Sequence, residues 1–187
     1  MQIIPATPQH ANDIARAVMM AIGDEICADF ASPDHSTDDV ERLFTHLASL
    51  DDSQYSYLNT LVALDENENV VGVCVGYDGA RLHQLRRHFF EAAKTFLNRD
   101  MEGMDDETSP DEFYLDTLAV SPMHRGKGIG SMLLKAMIGK AKASGKPAGL
   151  LVDKTNPKAA ALYHSLGFIH VDDRPFAGVL MSHLRLT

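Results

Sequence analysis

Apolar residues recur along the chain with two periods, and together they lay out an alternating α/β order. Ile3 and Ile4 predict a short strand. Ile14, Val18 and Ile22, four apart, predict a helix that Thr7 caps, with Pro8 at its first position and Gly23 at its end. The polar stretch ADFASPDHST predicts a loop before a second helix carrying Val40, Leu43, Phe44 and Leu47. LNTLVALD and NVVGVCVGYD, joined across the polar ENEN, predict an antiparallel hairpin. Over residues 80–98, Leu82, Leu85, Phe89, Ala93 and Phe96 fall on one helical stripe, with Arg81, Arg86, Arg87 and Lys94 largely off it. NRDMEGMDDETSPDE has no apolar period and predicts a mobile loop. EFYLDTLAV is a strand. After a glycine-rich loop, Ile129, Leu133, Met137 and Ala141 predict a helix up to Gly145. AGLLVD is a continuous apolar run typical of mid-sheet. Asn156 and Pro157 open a further helix that Gly167 closes, and FIHVDD and GVLMSHLRL are the last two strands. With no internal repeat and no long linker, the expectation is one α/β domain over residues 1–187.

Composition narrows the function classes. The chain has 187 residues, 45% of them hydrophobic and 23% charged, which is ordinary for a soluble globular protein. It has no apolar run near membrane-spanning length, and MQIIPATPQH lacks the basic and apolar regions of a signal peptide. Cys27 and Cys74 cannot build a disulfide framework, and both thiols are expected to be buried filler in a reduced, cytoplasmic protein. A net charge of −9 argues against a nucleic-acid partner. Acids dominate residues 24–52, where Arg42 is the single base, and bases dominate residues 121–160, where Asp153 is the single acid. A basic segment around a glycine loop suits a phosphate-rich cofactor, and the acidic segment suits a cationic substrate. The nine histidines show no paired ligand spacing, so no metal is expected.

The loop SPMHRGKGIG carries the chemistry. Gly126-Lys127 is followed by Gly128, which breaks the Walker A pattern. The dinucleotide fingerprint G-x-G-x-x-G begins at Gly126 and Gly128 but meets Ser131 in its last place, although Asp153 stands at the ribose position. The pattern R-x-x-G-x-G is met in full by Arg125, Gly128 and Gly130. A strand ending Leu118-Ala119-Val120 precedes it, and N-x-x-A-x-x-L-Y-x-x-x-G-F follows in register at Asn156, Ala159, Leu162, Tyr163, Gly167 and Phe168. These two motifs, in the order strand–loop–helix–strand–helix–strand, resemble the GCN5-related N-acetyltransferase (GNAT) family, best over about Glu112 to Val171.

The resemblance implies a GNAT-type mixed sheet of about seven strands, flanked by about four helices, with an inserted amphipathic helix in a segment of about 78–111. It implies acetyl-CoA as donor. The pyrophosphate would lie on Arg125, Gly126, Lys127, Gly128, Ile129, Gly130 and Ser131, at a helix start whose amides lack partners. The pantetheine arm would pair with Leu118, Ala119 and Val120, and Asn156 and Tyr163 would face the cofactor from the later helix. Tyr163, two helical turns after Asn156, is the expected donor to the leaving thiolate. Asp116 is the expected base, on a strand face that alternation shares among Tyr114, Asp116, Leu118 and Val120. Asp24 and Glu25, expected in a loop, would recognise the acceptor, a primary amine of a small molecule or protein. The acidic stretch Glu102 to Asp111 is expected to screen for cationic acceptors. No membrane partner is expected, and a homodimer would suit the inserted helix. The rival function is a non-catalytic acyl-CoA sensor on the same fold.

Overall fold

The run VVGVCVGY is apolar on both of its sides because it lies inside a sheet covered on both faces. In the computed structural model, which describes residues 1–186, it forms β3 (Val70–Asp78), buried from Val71 to Tyr77. β1 (Gln2–Pro5), β2 (Thr60–Leu64), β4 (Phe113–Val120), β5 (Ala148–Asp153), β6 (Ile169–Phe176) and β7 (Val179–Leu186) complete a seven-stranded sheet in the order β1-β2-β3-β4-β5-β7-β6. β4 and β5 run parallel and the other neighbours antiparallel.

Alternation sends side chains to two cores. On one face Val62, Val73, Val75 and Ala119 meet α1 (Ala11–Ile22), α2 (Asp24–Ala31), α3 (Thr37–Ser49) and α4 (Leu82–Leu97). On the other, Leu61, Cys74, Leu115, Leu150 and Leu184 meet α5 (Ile129–Ala143) and α6 (Pro157–Ser165). Burying each large side chain contributes roughly 1.5–3 kcal/mol. Phe44 is 1% exposed and stacks with Phe89 at 6.3 Å, which ties α3 to α4. The apolar stripe of α4 is thus spent on this chain's own core.

Three sequence expectations need correction. Thr7 heads a short 3-10 turn, Pro8–His10, and α1 begins after it at Ala11. The stretch 28–37 is not all loop: α2 runs from Asp24 to Ala31, with Cys27 and Ala31 buried one turn apart and Phe30 packed on Phe44 and Phe89. Its apolar side is too short to register as a period. The third correction concerns β4. Val75 pairs with Thr117 but Gly76 pairs with Leu115, so β4 carries one extra residue, a bulge at Asp116. Alternation breaks there. Phe113, Leu115, Leu118 and Val120 lie on the α5 side, whereas Tyr114 packs with Tyr77, Leu82 and Leu85 on the α4 side. The four residues expected on one face are therefore divided.

Candidate active site

The sheet opens where β4 meets β5. Their ladder is limited to Phe113 with Ala148 and Tyr114 with Gly149, so from Leu115 to Val120 the β5-facing edge of β4 has no strand partner. Both strands run toward the glycine loop, which places the opening at their carboxyl ends, where open α/β sheets take ligands. Gly126 and Gly128 adopt φ of 75° and 78°, a left-handed conformation that residues with a Cβ resist. A Cβ at either would meet nothing within 4 Å, so the space before them is free. Gly130 differs: a Cβ there would make ordinary contacts with Leu162 at 3.7 Å and with Leu118 and Val120 at 3.8 Å. It marks instead where α5, α6 and β4 converge.

The Met132 amide bonds to the Gly128 carbonyl at 3.1 Å and starts the helical ladder. Among the described residues, the amides of Gly126 to Ser131 have no protein acceptor. These donors, together with the helix dipole, form a seat for an anion. Arg125 is turned back, its Nε donating to the Val120 carbonyl at 3.1 Å, while Lys127 is exposed. The unpartnered donors of the loop are thus backbone amides, with Arg125 Nε already engaged. Asp153 lies in a local turn instead of awaiting a ribose, accepting from the Thr155 amide at 2.7 Å.

Across the opening, Asn156 caps α6 by accepting from the Ala159 amide at 3.1 Å. The capped helix brings Tyr163 down against the α5-side core, its ring 6.0 Å from that of Phe168. Burial pushes the Tyr163 phenol up to about 12, with Cys74 adding to the effect. It therefore keeps its proton at neutral pH, and its hydroxyl has no hydrogen-bond partner among the described residues. Both cysteines are buried, and burial holds the Cys74 thiol up at about 12, so it is inert.

Asp116 faces the other side. Its Oδ1 accepts from Thr117 Oγ1 at 2.9 Å and its Oδ2 from Tyr77 Oη at 3.2 Å. Burial raises its carboxyl above the usual range, against the pull of Thr117, Tyr77 and Arg86. No hydrogen bond joins Asp116 to Tyr163 among the described residues; they stand on opposite faces with the opening between them. Behind Asp116 lies a polar cluster that the sequence reading missed. Gln54 and Arg86 are 3% exposed, Tyr77 1% and Glu107 3%. Arg86 forms an ion pair with Glu107, and it also reaches Asp106 at 3.2 Å and the Asp105 carbonyl at 3.0 Å. Arg86 stands four residues after Leu82, which sets it at the rim of the apolar stripe. That spacing was the available signal.

The sequence model of the Acetyltransferase (GNAT) family matches residues 20–168. The chain belongs to the GNAT acetyltransferases. A crystal structure of an acetyltransferase, 33% identical, superposes with a TM-score of 0.83, covering 100% of this chain and 98% of that one. A Salmonella typhimurium protein solved with its cofactor acetyl-CoA is 21% identical, with a TM-score of 0.60 over 100% of this chain and 92% of that one, and so shares the fold. An L-methionine sulfoximine/L-methionine sulfone acetyltransferase of Salmonella typhimurium is 38% identical over 61 residues, which spans 32% of this chain and 36% of the relative. The family uses acetyl-CoA as acetyl donor, and this GNAT chain is an acyltransferase.

Asp24 and Glu25 occupy the exposed first turn of α2, not a loop. The acidic stretch after α4 is largely tied down. Glu107 is held by Arg86 and Gln54, Asp106 by Arg86 and His83, and Asp111 by Arg185. The side chains of Glu102 and Asp105 remain exposed. No helix among the described residues is long and apolar enough to cross a membrane, and no cluster there has the makings of a metal site. A cavity of about 690 Å³ lies at the far end of α5, lined by Lys142, Lys146 and Leu186, away from the opening.

Proposed function

We propose that the protein transfers the acetyl group of acetyl-CoA to a primary amine of a small molecule or protein by direct attack on the thioester. Residues 1–187 act in this reading as one domain, with about 78–111 as an insertion. One observation carries it: the amides of Gly126 to Ser131 lack acceptors beside an edge of β4 that has no strand partner. The first suits a pyrophosphate and the second suits an arm that carries peptide-like amides. Leu118, Ala119 and Val120 lend that edge, Asn156 sets α6 opposite, and acetyl-CoA supplies the activated acyl group when bound.

The amine must lose a proton before it attacks. For a lysine-like amine that costs about 3.4 units at pH 7, or roughly 4–5 kcal/mol. Asp116, half-buried and with a raised carboxyl, is a base better matched to neutral pH than an ordinary aspartate. Tyr163, protonated and without a protein partner, donates toward the leaving sulfur from the opposite face. Asp24 and Glu25, exposed on α2, attract the amine as a cation.

The test begins with binding. Gly128→Asp puts a carboxylate against the anion seat and forces a side chain into a left-handed position, so acetyl-CoA binding should be lost. Gly130→Ala, where a Cβ fits, should bind within a few-fold of wild type. Calorimetry on folded proteins decides, and unchanged binding by Gly128→Asp would sink the loop assignment. An amine panel followed by free-thiol release then identifies the acceptor.

A further inference from the structure

The cluster behind Asp116 holds more acceptors than one hydroxyl can serve. Tyr77 Oη lies 3.0 Å from Glu107 Oε1 and 3.2 Å from Asp116 Oδ2. Gln54 Nε2 donates to Tyr77 Oη at 3.2 Å and to Glu107 Oε1 at 2.8 Å. The other Glu107 oxygen, Oε2, pairs with Arg86. A phenol carries one hydrogen. It points to Asp116 or to Glu107, never to both.

The remaining groups around Asp116 leave this choice undisturbed. Arg86 from α4 acts as a cation, while Tyr55 before β2, Cys74 on β3 and Tyr114 on β4 lie within its electrostatic reach. Burial drives Tyr55, Tyr77 and Tyr114 well above the ordinary phenol value and Cys74 to about 12, so all four keep their protons at neutral pH. Glu107 is the second carboxylate in reach of the Tyr77 hydrogen, and its charge is matched by a guanidinium that is itself 3% exposed.

We propose that Tyr77 and Glu107 are positioning residues for Asp116: the Tyr77 hydroxyl points to Asp116 while that carboxylate is ionised, and turns to Glu107 once Asp116 holds the amine's proton. This rests on the reading of Asp116 as the base. The proton balance is simple. The amine proton moves to Asp116 and later leaves to water, while the Tyr77 proton stays on its own oxygen and changes direction only. Both states of Asp116 thereby find a hydrogen-bond partner with no heavy atom displaced, and Glu107 is the resting place that makes the protonated state tolerable.

The titration of Asp116 tests this without an acceptor, by carbon NMR of the full chain labelled in aspartate carboxyls and assigned with Asp116→Asn. Tyr77→Phe removes a donor that serves the charged form more strongly than the neutral one, so the midpoint should rise by about one pH unit. Glu107→Gln weakens the alternative acceptor, so the midpoint should fall. In the Tyr77→Phe background that second shift should nearly vanish, because Glu107 acts through the Tyr77 hydrogen. An equal Glu107→Gln shift in both backgrounds overturns the proposal, since Glu107 would then act by charge alone. If Glu107→Gln does not fold, Tyr77→Phe decides: a rise supports the proposal and an unmoved midpoint overturns it. The base reading fails separately, if Asp116→Asn keeps wild-type turnover on an amine that the enzyme acetylates.

Discussion

Tyr163 shows how much a single residue can carry. Its phenol stays protonated because burial lifts it to about 12, and it stays available because no side chain among the described residues engages it. Tyr163→Phe removes the hydroxyl and leaves the ring edge-on against Phe168. Acetyl-CoA affinity should persist while the maximal rate falls roughly 10²–10⁴-fold, as for a lost proton donor. Thiol release at saturating acetyl-CoA measures the rate, and calorimetry measures the affinity. A rate within a few-fold of wild type would reduce Tyr163 to packing. Because its value lies near 12, the wild-type profile should show no Tyr163 limb near neutrality.

Elements explain which parts of this were legible. The strands, the hairpin and α5 announced themselves because burial on one or both faces leaves a regular apolar period, as at Val71 to Tyr77. The glycine loop and Asn156 were legible because backbone conformation and capping restrict residue choice, seen in the φ of Gly128 and the bond to Ala159. The bulge at Asp116 left no trace, since one extra residue in a buried strand preserves its apolar content while reversing its faces. Nor did the Arg86–Glu107 pair, which joins residues far apart in sequence; it anchors the acidic loop at one buried point, Glu107, and leaves most of its other acids exposed. The expectation about cationic acceptors contracts accordingly. Neutralising Glu102 and Asp105, whose side chains are exposed, should leave thermal stability unchanged. It should raise the Michaelis constant for a cationic amine by no more than a few-fold, more at low salt, with none for acetyl-CoA. Equal effects on both substrates, or none on either, would remove the stretch from recognition.

At the scale of the whole molecule, the end of the sheet away from the opening is tied by a chain of polar groups that runs from the interior to the surface. Glu112, just before β4, and His183 on β7 are both 0% exposed. His183 Nε2 lies 2.8 Å from Glu112 Oε2, and its Nδ1 lies 2.9 Å from Asp172 Oδ1 on β6. The Glu112 carboxylate lies against Gly149, where a Cβ would come within 2.1 Å of Oε2, so β5 passes because that residue is glycine. β4, β6 and β7 are thereby fastened at the end opposite the opening, with β5 packed between β4 and β7. Burial pushes the Glu112 carboxyl up, but hydrogen bonds from His183, the Ser109 amide and Thr108 outweigh it and hold the group below its usual range. A carboxyl depressed in the folded state stabilises the fold above its unfolded value, and that contribution drains away as pH falls through the folded value. The melting temperature should therefore hold from pH 7 to about pH 5 and drop below about pH 4. His183→Ala should cost about 3 kcal/mol at neutral pH, because it removes the partner of Oε2 on a buried carboxylate and leaves Ser109, Thr108 and the more distant Arg185 to hold the charge. In that variant burial meets less opposition, so the carboxyl should move upward and its protonation on acidification should restore part of the deficit. Melts followed by circular dichroism at pH 7 and at pH 4.5 should show the gap between variant and wild type narrowing. A gap that stays constant would mean that His183 acts through its packing, not through its bond to the Glu112 carboxylate.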